Sequence, residues 1–176
     1  MPEKKIMVNR APVMTLWGAV VAERLGFDRQ EALTLGRSVA GLNAQSKGQR
    51  LGIFEPSQEP AEKARERQPE EEFFVDLLGR AVPVVNTKGG IRATSKGKPA
   101  DPAGVERYLE KKFGEDLPAV REAMEALAQS FPADELARKA YTLYEKFRPE
   151  IPEGKRGWGA EGELDLKAIR GLGGGD

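Results

Sequence analysis

The chain has 176 residues, carries 28 basic and 28 acidic side chains, and contains neither cysteine nor histidine. Its length suits one domain of about 150 residues with a core of its own plus appendages, and a charged fraction of 32% marks a well-solvated surface. The missing residue types exclude disulfides, thiolate nucleophiles, zinc fingers and histidine-based metal sites or triads, and no run approaches the ~20 apolar residues that span a bilayer.

Pro12 suits the first position of a helix running to about Leu25, with Gly26 as the left-handed residue past its end. Val13, Met14, Leu16, Trp17, Ala19, Val20, Val21 and Leu25 leave this helix almost no polar face, which predicts the buried centre of the fold. Asp28, with Glu31 three residues on, makes a capping box for a second helix ending near Lys47-Gly48. Ala32, Leu33, Leu35, Val39, Ala40 and Leu42 fill one half of that helix, and Gln30, Thr34, Arg37, Ser38, Gly41 and Gln45 the other.

Residues 51–72, with three prolines and an excess of acid, read as a solvated connector or lid. The run FFVDLLGRAVPVVNTKGGIRAT breaks at Gly79 and at residues 86–90, the pattern of a small antiparallel meander over 73–94. Pro83 should confine its strand to an edge or a bulge. Three amphipathic helices follow. The first starts at Asp101-Pro102, carries Val105, Tyr108, Leu109 and Phe113, and stops at Gly114. The second starts at Pro118 with Val120, Ala123, Met124, Leu127 and Phe131, and the third at Pro132 with Leu136, Ala140, Leu143 and Phe147. Residues 151–176 read as an arm and a frayed tail with one helical turn at 166–169. The expected fold is mainly α: a single helical domain over 1–150, with a buried N-terminal helix hairpin, a small antiparallel β-meander and three helices packed round the hairpin.

Residues 21–35 resemble the helix-turn-helix pattern of DNA-binding proteins. Ala22 stands where that pattern wants a small residue and Gly26 where it wants the turn glycine, while Val21, Leu25, Phe27, Ala32 and Leu35 match its apolar positions. The resemblance implies that Asp28, Arg29, Gln30, Thr34 and Arg37 face a major groove. It covers under a tenth of the chain, lacks the preceding helix, and places Leu33 near the edge of the reading face. A plain αα-hairpin corner needs the same glycine and the same cap.

The zero net charge is a sum of blocks: +4 over 1–54, −5 over 55–76, +5 over 77–112 and −4 over 113–176. Such blocks either pair within the fold or turn their basic members to an anionic partner. In NTKGGIRATSKGK, Lys88, Arg92, Lys96 and Lys98 alternate with glycines, as on a hairpin tip that lies along phosphates; the plainer reading is a solvated hairpin whose lysines guard an edge strand. Arg37, Lys47 and Arg50 extend the basic set after the second helix. Residues 157–162 spell G-x-G-x-x-G without the strand and helix that dinucleotide binding requires, so no cofactor is expected. Trp158, beside Lys155 and Arg156, is a candidate anchor for the tail or for a partner protein.

Nothing in the chain sets paired carboxylates in an apolar frame. Glu70 to Glu72 form a solvated run, and Tyr108, Tyr141 and Tyr144 lie on amphipathic helices as core-edge aromatics. Lys4, Lys5 and Arg10 before APVMTLWGAVVA imitate a signal peptide, but the apolar residues continue to Leu25 and Phe27 and the run holds a proline, a threonine and a glycine, so a cytoplasmic chain is expected. Together these readings predict a non-enzymatic, metal-free binding protein. Its leading partner is nucleic acid, contacted through Arg29, Gln30, Thr34, Arg37, Lys47, Arg50, Lys88, Arg92, Lys96 and Lys98, and the alternative is a protein-interaction or self-association module.

Overall fold

A computed structural model describes residues 6–45, 72–78, 80–95, 98–149 and 161–172. Strand β1 (Ile6–Asn9) runs directly into helix α1 (Arg10–Arg24). Every residue from Pro12 to Ala22 is buried, so α1 is the axis round which the rest packs, as its lack of a polar face requires. The helix opens at Arg10, which puts Pro12 in the first turn, where no N–H has an intrahelical acceptor and a proline ring is tolerated.

Gly26 takes φ 112°, the turn closes with the Phe27 amide on the Ala22 carbonyl at 3.1 Å, and α2 (Arg29–Gln45) returns along α1. The capping box is reciprocal: Asp28 Oδ1 accepts from the Glu31 amide at 2.8 Å, and Glu31 Oε1 accepts from the Asp28 amide at 2.9 Å. The two helices touch backbone to backbone. A Cβ on Gly36 would fall onto the Thr15 carbonyl oxygen and lie 2.8 Å from the Ala19 nitrogen, and one on Gly18 would lie 2.9 Å from the Gly36 Cα.

The expected meander follows: β2 (Phe73–Leu77), β3 (Arg80–Thr87), β4 (Gly90–Ser95) and β5 (Lys98–Pro99), antiparallel and side by side in that order. Phe73, Leu77, Val82, Val84, Ile91 and Ala93 alternate onto one buried face, which packs on α2. The prediction for Pro83 is corrected here, because β3 lies between β2 and β4 and is no edge. Proline is accommodated because the β3–β4 ladder runs only from Val84↔Ala93 to Thr87↔Gly90 and stops one residue short of it.

Helix α3 (Pro102–Phe113) is capped by Asp101, whose Oδ1 accepts from the Ala103 amide at 3.1 Å, and ends at Gly114 with φ 56°. One 3-10 turn leads to α4 (Leu117–Gln129), and α5 (Ala133–Phe147) follows. Their apolar faces join the core round α1. Trp17, fully buried, donates Nε1–H to the Ala140 carbonyl at 2.9 Å and meets the Phe147 ring edge-on at 5.3 Å. Both ends of α1 are tied to the α5 region: Arg10 Nε donates to the Pro149 carbonyl at 2.8 Å, and Arg24 to the Phe131 carbonyl at 3.0 Å.

The chain then returns to its start. Strand β6 (Glu161–Leu164) pairs antiparallel with β1, Ile6 opposite Leu164, and the short helix α6 (Leu166–Gly171) is capped by Asp165. Leu164 and Ile169 are buried in the same core as α1. Among the described residues no helix is long and apolar enough to cross a membrane.

Candidate interaction surface

The polar half of α2 is the first place to look for a ligand, and its N-terminal part is taken up by the protein itself. With Thr87↔Gly90 closing the β3–β4 hairpin, the alternation of the ladder sends the Ile91 and Ala93 amides away from β3. Strand β5 reaches back only to Thr94, so those two amides have no strand to bond. Two α2 side chains take that role. Glu31 Oε2 accepts from the Ile91 amide at 2.9 Å, and Thr34 Oγ1 accepts from the Ala93 amide at 3.1 Å while donating to the Glu31 carbonyl at 3.1 Å. Glu31 and Thr34 are both fully buried. A helix thus closes a sheet edge with side chains, which satisfies backbone donors that would otherwise be buried and orphaned.

This geometry corrects the helix-turn-helix expectation. Thr34 lies under β4 and no DNA groove can receive it. Arg92 is corrected likewise: only 7% exposed, its guanidinium donates to the Ile91 carbonyl at 2.9 Å, the Gly89 carbonyl at 3.1 Å and Gln30 Oε1 at 3.0 Å. It locks the β3–β4 hairpin tip to the start of α2 and occupies Gln30 in doing so. Arg29 pairs with Glu106 of α3 at 2.7 Å, and the Arg37 guanidinium lies 4.5 Å over the Tyr108 ring, a cation–π contact between α2 and α3. Burial pushes the Tyr108 phenol above its ordinary range, and Arg37 pulls against that. Asp28 is spent on the cap. Lys88 at the hairpin tip and Lys98 on β5 are exposed. Lys47, Arg50, Lys96, Lys155, Arg156 and Trp158 lie outside the described residues, as do residues 51–71 of the predicted connector.

The other end of the sheet is built differently. Strand β2 is its terminal strand, and among the described residues no strand pairs with its outer edge. Pairing of Leu77 with Arg80 sets the alternation, so Phe73, Val75 and Leu77 bond toward β3 while the backbone groups of Phe74 and Asp76 point outward. Pro83, which has no N–H, stands opposite Phe74. The Phe74 side chain is 60% exposed and, with Met7 on β1, is one of two large apolar side chains so exposed among the described residues. Half-buried Ala81 and Pro83 share its face of the sheet.

Among the described residues no group of three or more acidic side chains is placed to hold a metal ion. The chain matches no family model, no curated protein and no solved structure.

Sequence reading missed the second task of Glu31, which looks like a cap alone, and it missed Phe74. A signal for Phe74 was present: in the alternation Glu72-Phe73-Phe74-Val75-Asp76, Phe74 shares its phase with two acidic residues and so belongs on the face away from the core.

Proposed function

We propose that this chain is a binding protein without catalytic chemistry whose partner is an extended polypeptide, added as a further strand to the outer edge of β2. The observation that carries the reading is Phe74, 60% exposed on a terminal strand whose outward backbone groups face no strand among the described residues. Strand addition draws affinity from main-chain hydrogen bonds and specificity from alternate side chains, and Phe74 with Pro83 offers one apolar position for such a side chain. An edge of this kind is a liability unless it is charged, covered or used.

The competing reading, contact with a nucleic-acid backbone, retains Lys88, Lys98 and the outer parts of Arg29 and Arg37. It loses Thr34 and Arg92 to the fold, and Arg29 is neutralised by Glu106. Peptides selected on the wild-type chain from a random display library should be strand-forming and should lose binding to Phe74→Pro. That variant removes an outward N–H without costing a β2–β3 bond. Peptides that bind it as well as the wild type would end the reading. Retention of duplex DNA or RNA in filter binding that weakens steeply with salt would favour the rival.

A further inference from the structure

We infer that Met7 is a reversible oxidation site, where a hydroperoxide converts the thioether to a sulfoxide while the core stays intact; this is independent of the reading of β2. The chain has no cysteine, so its four methionines hold all of its sulfur. A peroxide therefore meets thioethers here and no thiolate. Three of the four lie among the described residues, and the fold treats them very differently. Met7 is 47% exposed, whereas Met14 on α1 and Met124 on α4 are 1% and 0% exposed. The alternation of β1 produces that difference. Ile6 and Val8 turn into the core, and Met7 between them turns outward, opposite exposed Glu163 of β6.

Oxygen transfer breaks the peroxide O–O bond. The Met7 sulfur gives up two electrons and gains one oxygen, and the other peroxide oxygen leaves as water, or as an alcohol when the peroxide is organic. At Met7 the new polar oxygen stands in water. At Met14 or Met124 the same oxygen would be set inside the apolar core, where an unpaired polar group is destabilising. Reduction takes two thiols, which become a disulfide as the sulfoxide oxygen leaves as water. The chain has no thiol of its own, so they come from a methionine sulfoxide reductase. A side chain standing out from a two-stranded ribbon is as open to that enzyme as to peroxide. Each cycle consumes one peroxide and leaves the buried sulfurs untouched.

Timed exposure of the native full chain to hydrogen peroxide, followed by trypsin and mass spectrometry, tests this. Trypsin separates the three sulfurs into peptides 6–10, 11–24 and 122–138. Peptide 6–10 should gain one oxygen at least about tenfold faster than the other two, because buried sites react only in opened molecules. In guanidinium chloride that gap should close. The chain oxidised at Met7 should keep its far-ultraviolet spectrum and hold its Tm within about 2 °C of the unoxidised chain. Two sulfoxide reductases, one for each epimer, should return peptide 6–10 to its original mass when they act on the folded chain. Equal native rates in the three peptides overturn the inference. So does a gap that persists in guanidinium chloride, since local sequence and not the fold would then set the rates. A clear fall in Tm on oxidation of Met7 overturns the claim that the core is spared, and a sulfoxide that neither reductase removes from the folded chain overturns its reversibility.

Discussion

Replacing Gly36 and Gly41 by alanine, each alone, should move stability in opposite directions although both lie on α2. Among the described residues, no heavy atom outside Gly41's chain neighbours and its own helix backbone lies within 4 Å of the place a Cβ would take, so alanine there gains only helix propensity, about 1 kcal/mol. At Gly36 the same methyl meets the Thr15 carbonyl oxygen and the Ala19 nitrogen, both backbone atoms of a helix buried on all sides. No rotamer change relieves that contact, so α1 and α2 must separate at a crossing buried in the core. Overpacking typically costs about 1–3 kcal/mol and occasionally more; a rigid clash places Gly36→Ala at the upper end, with a net loss of about 3 kcal/mol despite the propensity gain. For a chain of this size that is a fall in Tm of roughly 10 °C, against a rise of about 2–4 °C for Gly41→Ala. Urea and thermal unfolding followed by circular dichroism read both values. A Gly36→Ala variant as stable as the wild type would refute the close crossing of the two helices.

Glu31→Ala orphans the Asp28 and Ile91 amides together, which predicts a loss of about 2–5 kcal/mol in urea unfolding; Thr34→Val orphans only the Ala93 amide and should cost about 1–3 kcal/mol. Losses under 1 kcal/mol in both would show that α2 does not close the β4 edge. Trp17→Phe removes the bond to the Ala140 carbonyl and part of a fully buried ring, for an expected loss of about 2–4 kcal/mol by the same assay. Burial pushes the Tyr144 phenol up to about 12 from its ordinary 10.0, with Arg148 and Arg10 opposing the shift. The folded state therefore holds that proton more tightly than the unfolded chain. The associated stability is fully present below pH 10 and is lost as pH rises through about 12, a change of about 3 kcal/mol. Phenolate absorbance should show a titration step near pH 12 that Tyr144→Phe removes, and a wild type that ionises all its tyrosines near pH 10 while still folded would contradict the burial.

The elements legible in the sequence are those specified by neighbours. The all-apolar α1, the turn at Gly26, the Asp28–Glu31 box, and the Asp101 start and Gly114 stop of α3 are decided within a few residues, and the structure contains each of them. The β1–β6 pair was not legible, because Ile6–Asn9 and Glu161–Leu164 are too short to show periodicity and their pairing spans almost the whole chain. The candidate site failed for a subtler reason. Polar residues at helical spacing read as a solvated face, yet Gln30, Glu31 and Thr34 supply the acceptors that a sheet edge and a buried arginine require. Periodicity reports polarity and is blind to whether the polar partner is water or protein. Phe74 shows the converse, since an aromatic run suggests burial while alternation sends every second member outward.

Amide hydrogen exchange at Ile91 and Ala93 bears most directly on whether α2 turns its polar side chains inward onto the sheet. Both amides should exchange as slowly as the core of α1, and Thr34→Val should speed exchange at Ala93 while leaving Ile91 slow. Fast exchange at both positions in the wild type would mean that Glu31 and Thr34 do not hold the β4 edge. The polar half of α2 would then be free to meet a ligand, and the case for β2 as the working surface would lose its foundation.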